Sequence, residues 1–463
     1  MKDGPLTSSY RDPAGFVFLQ DNIVYRQINK VAEADYKMLH DSGLYSALVS
    51  EELLVSHKEV TLKNLPVDKN RLTVIKPDAI PFISYPYEWS FPQLRDAGLL
   101  TLKIQQIALK HGMILKDSSA FNIQFVGKKP VLIDTLSFAI YEEGKPWEGY
   151  RQFCEHFLIP LAIAHFSTEQ ALTMLQTYLE GIPLSLAVGL LPKGAKWHKK
   201  GVMAHIYLHE RLQRKHQGSG TKSASAPTRK VSRFSMEGLI ASLESSLKAM
   251  TAPKNQTEWG EYYDFTNYDQ KAFKDKAKLV EEYLNSLKQK PKMVWDLGAN
   301  NGEFSELAAK LGAYTVAWDI DPKAVAANYL KHDDTDSLML PLVQDIAAPS
   351  PSVGWELDER SSLFDRGPAD VVLALAIIHH LSIGRNVPFP KVASTLAKIG
   401  KNIIIEFVPK EDSKVQQLLA SRTDIFPEYD EEHFEAAMAT HFKLVKKTAI
   451  KNSKRKLYLY TVR

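Results

Sequence analysis

A chain of 463 residues is longer than one ordinary hydrophobic core accommodates, so two or three domains are expected. Apolar residues make up 44% and charged residues 24%, the balance of a globular protein, and a net charge of +4 over this length gives no whole-chain case for nucleic-acid binding. The single cysteine, Cys154, excludes an internal disulfide and any cysteine-cluster zinc site. The start MKDGPLTSSYRDPAG lacks an apolar signal region and the run FLIPLAIAHF is too short to span a bilayer, so a cytoplasmic, soluble protein without membrane contact is expected.

In chain order, GFVFLQDNIVYRQI reads as a β-hairpin and EADYKMLHDSGLYSALVSEELL as helical. ISYPYEWSF follows, dense in aromatics around Glu88, and then a long helix, QLRDAGLLTLKIQQIALKHG, ending at Gly112. FNIQF and KPVLIDT read as two strands about a VGK turn, and apolar helices run from Trp147 to about Leu191. This half is α+β. Its aromatic stretch, with Trp147, Tyr150, Arg151, Gln152 and His156, has two readings: a pocket for a sugar or other ring-bearing acceptor, or buried core, the latter preferred.

Asp117, Asn122 and Asp134 stand in the order that holds an acceptor and Mg²⁺-bound phosphates in phosphotransferases. Long helix, loop and hairpin around them resemble the catalytic region of the kinase-like superfamily. The resemblance implies metal binding by the triplet only if the domain is active. Departures count against activity. Gly15 stands alone where a Gly-rich loop belongs, Arg26 or Lys76 would have to replace the strand lysine, and TLSF follows Asp134. A kinase-like accessory domain is expected over 1–210, with ATP and Mg²⁺ possible but not favoured as partners.

Residues 211–235, without an acidic side chain, read as a flexible basic linker. Beyond it, Phe273, Ala277, Val280, Leu284 and Leu287 fall on one helix face. The short apolar runs MVWDLG, YTVAWDI, LMLPLVQDI, ADVVLALAII and NIIIEFV then alternate with helix-like segments. Such alternation predicts an α/β domain over 236–463 with a mainly parallel sheet, and the tail FKLVKKTAIKNSKRKLYLYTV predicts an antiparallel edge hairpin.

Ligands of such sheets bind beyond the carboxyl ends of the strands. There WDLGANNGEF places Asp296 before a turn permitted by Gly298 and Gly302, with a helix starting at about Glu303. The loop lacks the G-x-G-x-x-G of dinucleotide sites and carries an acid suited to an ammonium group. Asp319, ending the second strand, is placed to accept two ribose hydroxyls, and Asp345, ending the third, to accept an adenine amino group. At these residues 255–463 resembles a class I S-adenosylmethionine-dependent methyltransferase, with the seven-stranded Rossmann-like fold that implies. In the family's Asp-x-Gly-x-Gly-x-Gly motif, Asn300 replaces the middle glycine; Asp345 with Ile346 matches the adenine contact. His379 and His380, after the fourth strand, and Glu406, ending the fifth, are candidate bases or acceptor-binding groups. Tyr263 and Tyr268 are candidate lid residues over the donor. SYPYEW, LKD and IEFVP also resemble the bacterial nodulation-protein-like family of the NoeA type.

The resulting expectation is a methyltransferase using S-adenosyl-L-methionine, acting on oxygen of a small molecule or glycan that the N-terminal domain selects or presents. HHLS stands where nucleic-acid amino-methyltransferases carry Asn/Asp-Pro-Pro-Tyr, so a nucleic-acid partner is not expected. A bifunctional kinase and methyltransferase, and a non-catalytic donor-binding scaffold, are the alternatives.

Overall fold

A computed structural model describes residues 3–62, 65, 68–195, 200–211, 230–253, 270–332, 336–420 and 422–463. The chain forms two compact units. The first takes in Met1–Phe125, Pro130–Lys254 and Val353–Arg360; the second takes in Val126–Lys129, Asn255–Ser352 and Ser361–Arg463.

The first unit carries a five-stranded sheet in the order β1-β2-β3-β5-β4, namely Gly4–Pro5, Gly15–Gln20, Ile23–Asn29, Arg71–Pro77 and His57–Glu59, with every pairing antiparallel. The hairpin β2–β3 closes through Asp21 and Asn22, both left-handed, the turn whose twist matches paired strands. Helices α1 (Glu33–Asp41) and α2 (Leu44–Ser50) lie between β3 and β4 in the chain. Buried Ile28, Ala32, Tyr36, Ile75 and Leu136 form one core cluster of this unit. Helix α3 (Phe91–Lys110) starts at a Ser90/Gln93 capping box, and Gly112 beyond its end adopts φ +74°. Strands β6 (Met113–Leu115) and β9 (Phe138–Ile140) pair, as do β7 (Ile123–Val126) and β8 (Lys129–Leu132).

The aromatic stretch is core. Tyr85, Tyr87 and Trp89 are buried, Trp89 Nε1 donates to Ser84 Oγ at 3.0 Å, and Glu88 accepts from the Tyr85 amide at 3.0 Å. Trp147 is buried and donates to the Leu115 carbonyl at 2.6 Å, while the buried His156 ring meets Phe121 edge-on.

One boundary differs from expectation. The helix Arg233–Lys248, most of which falls within the α/β domain expected over 236–463, belongs to the first unit. Its stripe Met236, Ile240, Leu243 and Leu247 is buried, and Gly98 of α3 admits it: a Cβ there would meet Leu247 at 2.9 Å and Phe157 at 3.3 Å. Of the 211–235 linker, residues 212–229 lie outside the described residues.

The second unit holds a sheet in the order β12-β11-β10-β13-β14-β16-β15. The strands are β10 (Met293–Leu297), β11 (Tyr314–Asp319), β12 (Met339–Val343), β13 (Ala369–Ala374), β14 (Gly400–Phe407), β15 (Phe442–Ala449) and β16 (Lys456–Val462). β10 to β14 pair in parallel, and β16 joins β14 and β15 antiparallel. The apolar face of the helix Gln270–Asn285 packs as its periodicity predicts. Val280 and Leu284 are in the core with Val294, Leu373 and Ile404, and Phe273, Ala277 and Leu287 pack against them. The helix Glu303–Lys310 follows β10, Pro322–Leu330 follows β11 and Phe389–Ile399 precedes β14. From β10 the chain runs outward through β11 and β12, then returns to β13 on the other side of β10. That reversal opens a crevice beyond the carboxyl ends of β10 and β13. No helix among the described residues is long and apolar enough to cross a membrane.

Candidate active site

A cavity of about 400 Å³ occupies this crevice. Of the residues singled out in the sequence, Asp296, Gly298, Asn300, Asp319, Asp345, Ile346 and His380 line it. Gly302, His379 and Glu406 do not, and Tyr263 and Tyr268 lie outside the described residues.

The loop after β10 is held by its backbone. Gly298 and Ala299 each donate to the Trp318 carbonyl at 2.8 Å, Gly298 and Gly302 take φ of +73° and +87°, and Asn300 joins them at +50°. Asn tolerates that conformation better than most side chains, which is why it serves in a glycine's place. Gly302 has a further reason: a Cβ would meet the Asn328 amide at 2.5 Å.

Asp296 is buried and accepts from Ser305 Oγ at 2.7 Å. Asp319 accepts from the amides of Asn300 at 2.8 Å and Asp321 at 2.9 Å. Burial raises both carboxyls to about 6; the Ser305 hydroxyl and the Lys276 charge oppose this at Asp296, and the amides oppose it at Asp319. Among the described residues no cation is bonded to either carboxylate. Two buried acids without a paired cation fit a ligand that brings positive charge and hydroxyl donors. Asp345 lies two residues beyond the end of β12, where it accepts from the Ala347 amide at 2.9 Å and pairs with Arg385 at 3.2 Å.

Among the described residues, three cationic side chains at this site are not picked out by the sequence. Lys276, on the inward face of the helix Gln270–Asn285, lines the cavity, lies 4.5 Å from the Phe304 ring centroid and pairs with Glu406 at 2.6 Å. A lysine three residues after Phe273 on an otherwise apolar face was the available signal. Arg385 and Arg422 also face the cavity and carried no such signal.

Glu406 is fully buried and held from its other side by Arg455 at 3.2 Å, whose guanidinium also grips Asp412 at 2.7 and 3.0 Å. His379 is buried, its ring 4.1 Å from that of His380, and among the described residues neither ring nitrogen meets a hydrogen-bond partner. Burial pushes the His379 imidazole well below its ordinary range. The same cause, aided by the Arg455 and Lys414 charges, pushes His380 down to about 4. Both are neutral near pH 7.

In the first unit, Asp117, Asn122 and Asp134 do come together. Asn122 donates to Ser137 Oγ at 3.2 Å, which follows Asp134 in the loop, and burial raises the Asp117 carboxyl with a smaller push from Asp134. Arg26 of β3 reaches Asp134 at 2.6 Å, so a guanidinium already neutralises that carboxylate; Lys76 is exposed. Among the described residues no group of three or more His, Cys, Asp or Glu side chains is arranged to hold a metal ion.

No family model matches the chain. Solved structures resemble parts of it loosely. Magnesium protoporphyrin IX methyltransferase from Synechocystis PCC 6803 is 18% identical, with 42% of this chain and 84% of that one covered at a TM-score of 0.30. The bifunctional kinase-methyltransferase WbdD is 19% identical, covering 44% and 41% at 0.29. N-methyltransferase NodS from Bradyrhizobium japonicum WM9 is 8% identical, covering 42% and 98% at 0.29. Superpositions this loose establish neither fold nor activity. Sequence similarity says more: the nodulation protein NoeA of Rhizobium meliloti (strain 1021) is 35% identical over 465 aligned residues, 99% of this chain and 96% of that protein. Similarity of that extent, end to end, means that this chain belongs to the NoeA nodulation-protein family.

Proposed function

We propose that the chain is a methyltransferase that moves a methyl group from S-adenosylmethionine to an oxygen of a small-molecule or glycan acceptor. The observation that carries this reading is the convergence of Asp296, Asp319 and Asp345, from three adjacent strands, on one cavity beyond their carboxyl ends. When bound, S-adenosylmethionine supplies a methyl group on a positively charged sulfur. Asp319 holds the ribose hydroxyls, Asp296 faces the ammonium end, and Asp345 with Ile346 takes the adenine. The two acids that burial disfavours when ionised gain compensating partners in this way.

Catalysis of methyl transfer is largely alignment of donor and acceptor in line. His380, the histidine that lines the cavity, positions the acceptor through a neutral imidazole. Glu406 has a different role from the base expected of it. Its oxygens are engaged by Lys276 and Arg455, so it fixes the lysine that borders the donor end. The first unit selects or presents the acceptor rather than phosphorylating it; against phosphotransfer stands Arg26, which holds the Asp134 carboxylate that a phosphotransferase needs for a metal.

Titration calorimetry with S-adenosylmethionine tests the reading. Binding is expected for the unmodified chain and lost in Asp319→Ala; no binding to the unmodified chain overturns it.

A further inference from the structure

Among the described residues three cationic side chains, Lys276, Arg385 and Arg422, face the cavity, and two are spoken for. Lys276 is paired with Glu406 at 2.6 Å and Arg385 with Asp345 at 3.2 Å. Arg422 differs. Its Nη1 donates to the Ile383 carbonyl at 2.5 Å, and among the described residues no carboxylate pairs with it. Ile383 lies in the helical turn His380–Gly384, so this guanidinium is tied to the turn that carries His380 into the cavity.

Burial is the main reason the His380 ring resists protonation; the Lys414 and Arg455 charges add to it, although Arg455 is already paired with Glu406 and Asp412. Among the described residues the side is also poor in bases. His379 is buried off the cavity, Glu406 is engaged by two cations, and His380 is too weak a base to ionise an alcohol readily. A neutral hydroxyl acceptor would need such a base; an acceptor oxygen that is ionised on arrival needs none.

We propose that the acceptor is an oxyanion, a carboxylate or a phosphate, with one oxygen held by Arg422 while a sister oxygen receives the methyl group. This rests on the methyl-donor reading of the same cavity. A lone pair of the acceptor oxygen forms the new O–CH₃ bond as the S–CH₃ bond breaks. The electron pair of that bond stays on sulfur, which becomes a neutral thioether. No proton is released and nothing is oxidised or reduced. The product is a methyl ester.

The test uses the full chain saturated with S-adenosylhomocysteine, titrated calorimetrically with acetate, with inorganic phosphate, and with neutral acetamide. At least one oxyanion is expected to bind while acetamide does not; acetate alone points to a carboxylate acceptor and phosphate alone to a phosphorylated one. Arg422→Ala is expected to weaken that binding by about tenfold or more, and Arg422→Lys to restore part of it. S-adenosylhomocysteine affinity is expected to stay unchanged in both variants. The proposal is overturned if neither oxyanion binds, if acetamide binds as well, or if Arg422→Ala binds oxyanion like the unmodified chain. A loss of S-adenosylhomocysteine affinity in Arg422→Ala also overturns it, assigning Arg422 to the donor. Failure of S-adenosylhomocysteine to bind the unmodified chain instead sinks the methyl-donor reading itself.

Discussion

At the scale of single residues, the chemistry turns on buried charge. Burial holds the carboxyls of Asp296 and Asp319 at about 6, above their ordinary range, so the folded protein binds protons that the unfolded chain has released. Their contribution to stability is therefore fully present below about pH 4 and lost as pH rises through about 6. On the proposed roles of Asp296 and Asp319, donor binding runs the other way, because ammonium and hydroxyl donors need ionised partners. Calorimetry should show S-adenosylhomocysteine affinity falling between about pH 7.5 and about pH 5, by about tenfold per carboxylate. A flat profile would mean that neither acid touches the ligand. Glu406→Gln removes the negative charge between Lys276 and Arg455 and should cost about 3–5 kcal/mol, read as a lowered urea midpoint. A change below about 1 kcal/mol would mean that solvent reaches this network.

At the scale of elements, two helices show what local pattern can and cannot convey. The helix Gln270–Asn285 is legible from the period of its buried face, and the strands β10 to β14 from short continuous apolar runs buried on both faces. Helix Arg233–Lys248 has an equally clear stripe, yet the stripe alone does not say which surface covers it. Gly98 decides that, by leaving room on α3 for Leu247. Leu247→Ala should destabilise the chain by about 2–5 kcal/mol in chemical denaturation. The turn at Gly302 is as demanding. Gly302→Ala combines a left-handed backbone with a clash at Asn328, and should both lower the melting temperature and weaken donor binding.

At the scale of the whole molecule, the units are not continuous stretches of chain. Val353–Arg360 belongs to the first unit, where Glu359 pairs with Arg11 at 2.7 Å, and Val126–Lys129 belongs to the second, where Lys128 pairs with Asp336 at 3.0 Å. A fragment ending at 254 retains the stripe that a fragment ending at 235 loses. It should melt higher by about 5 °C or more, followed by circular dichroism.

The sequence by itself determined the parallel strands, the glycine turn and the three acids at or just beyond the strand ends, because each rests on neighbours along the chain. Tertiary structure alone decided that Lys276 meets Glu406, that Arg26 occupies Asp134, and that Arg422 reaches the His380 turn. Those pairings join residues far apart in sequence, and opposite charges carry no local mark of which partner burial will bring to them.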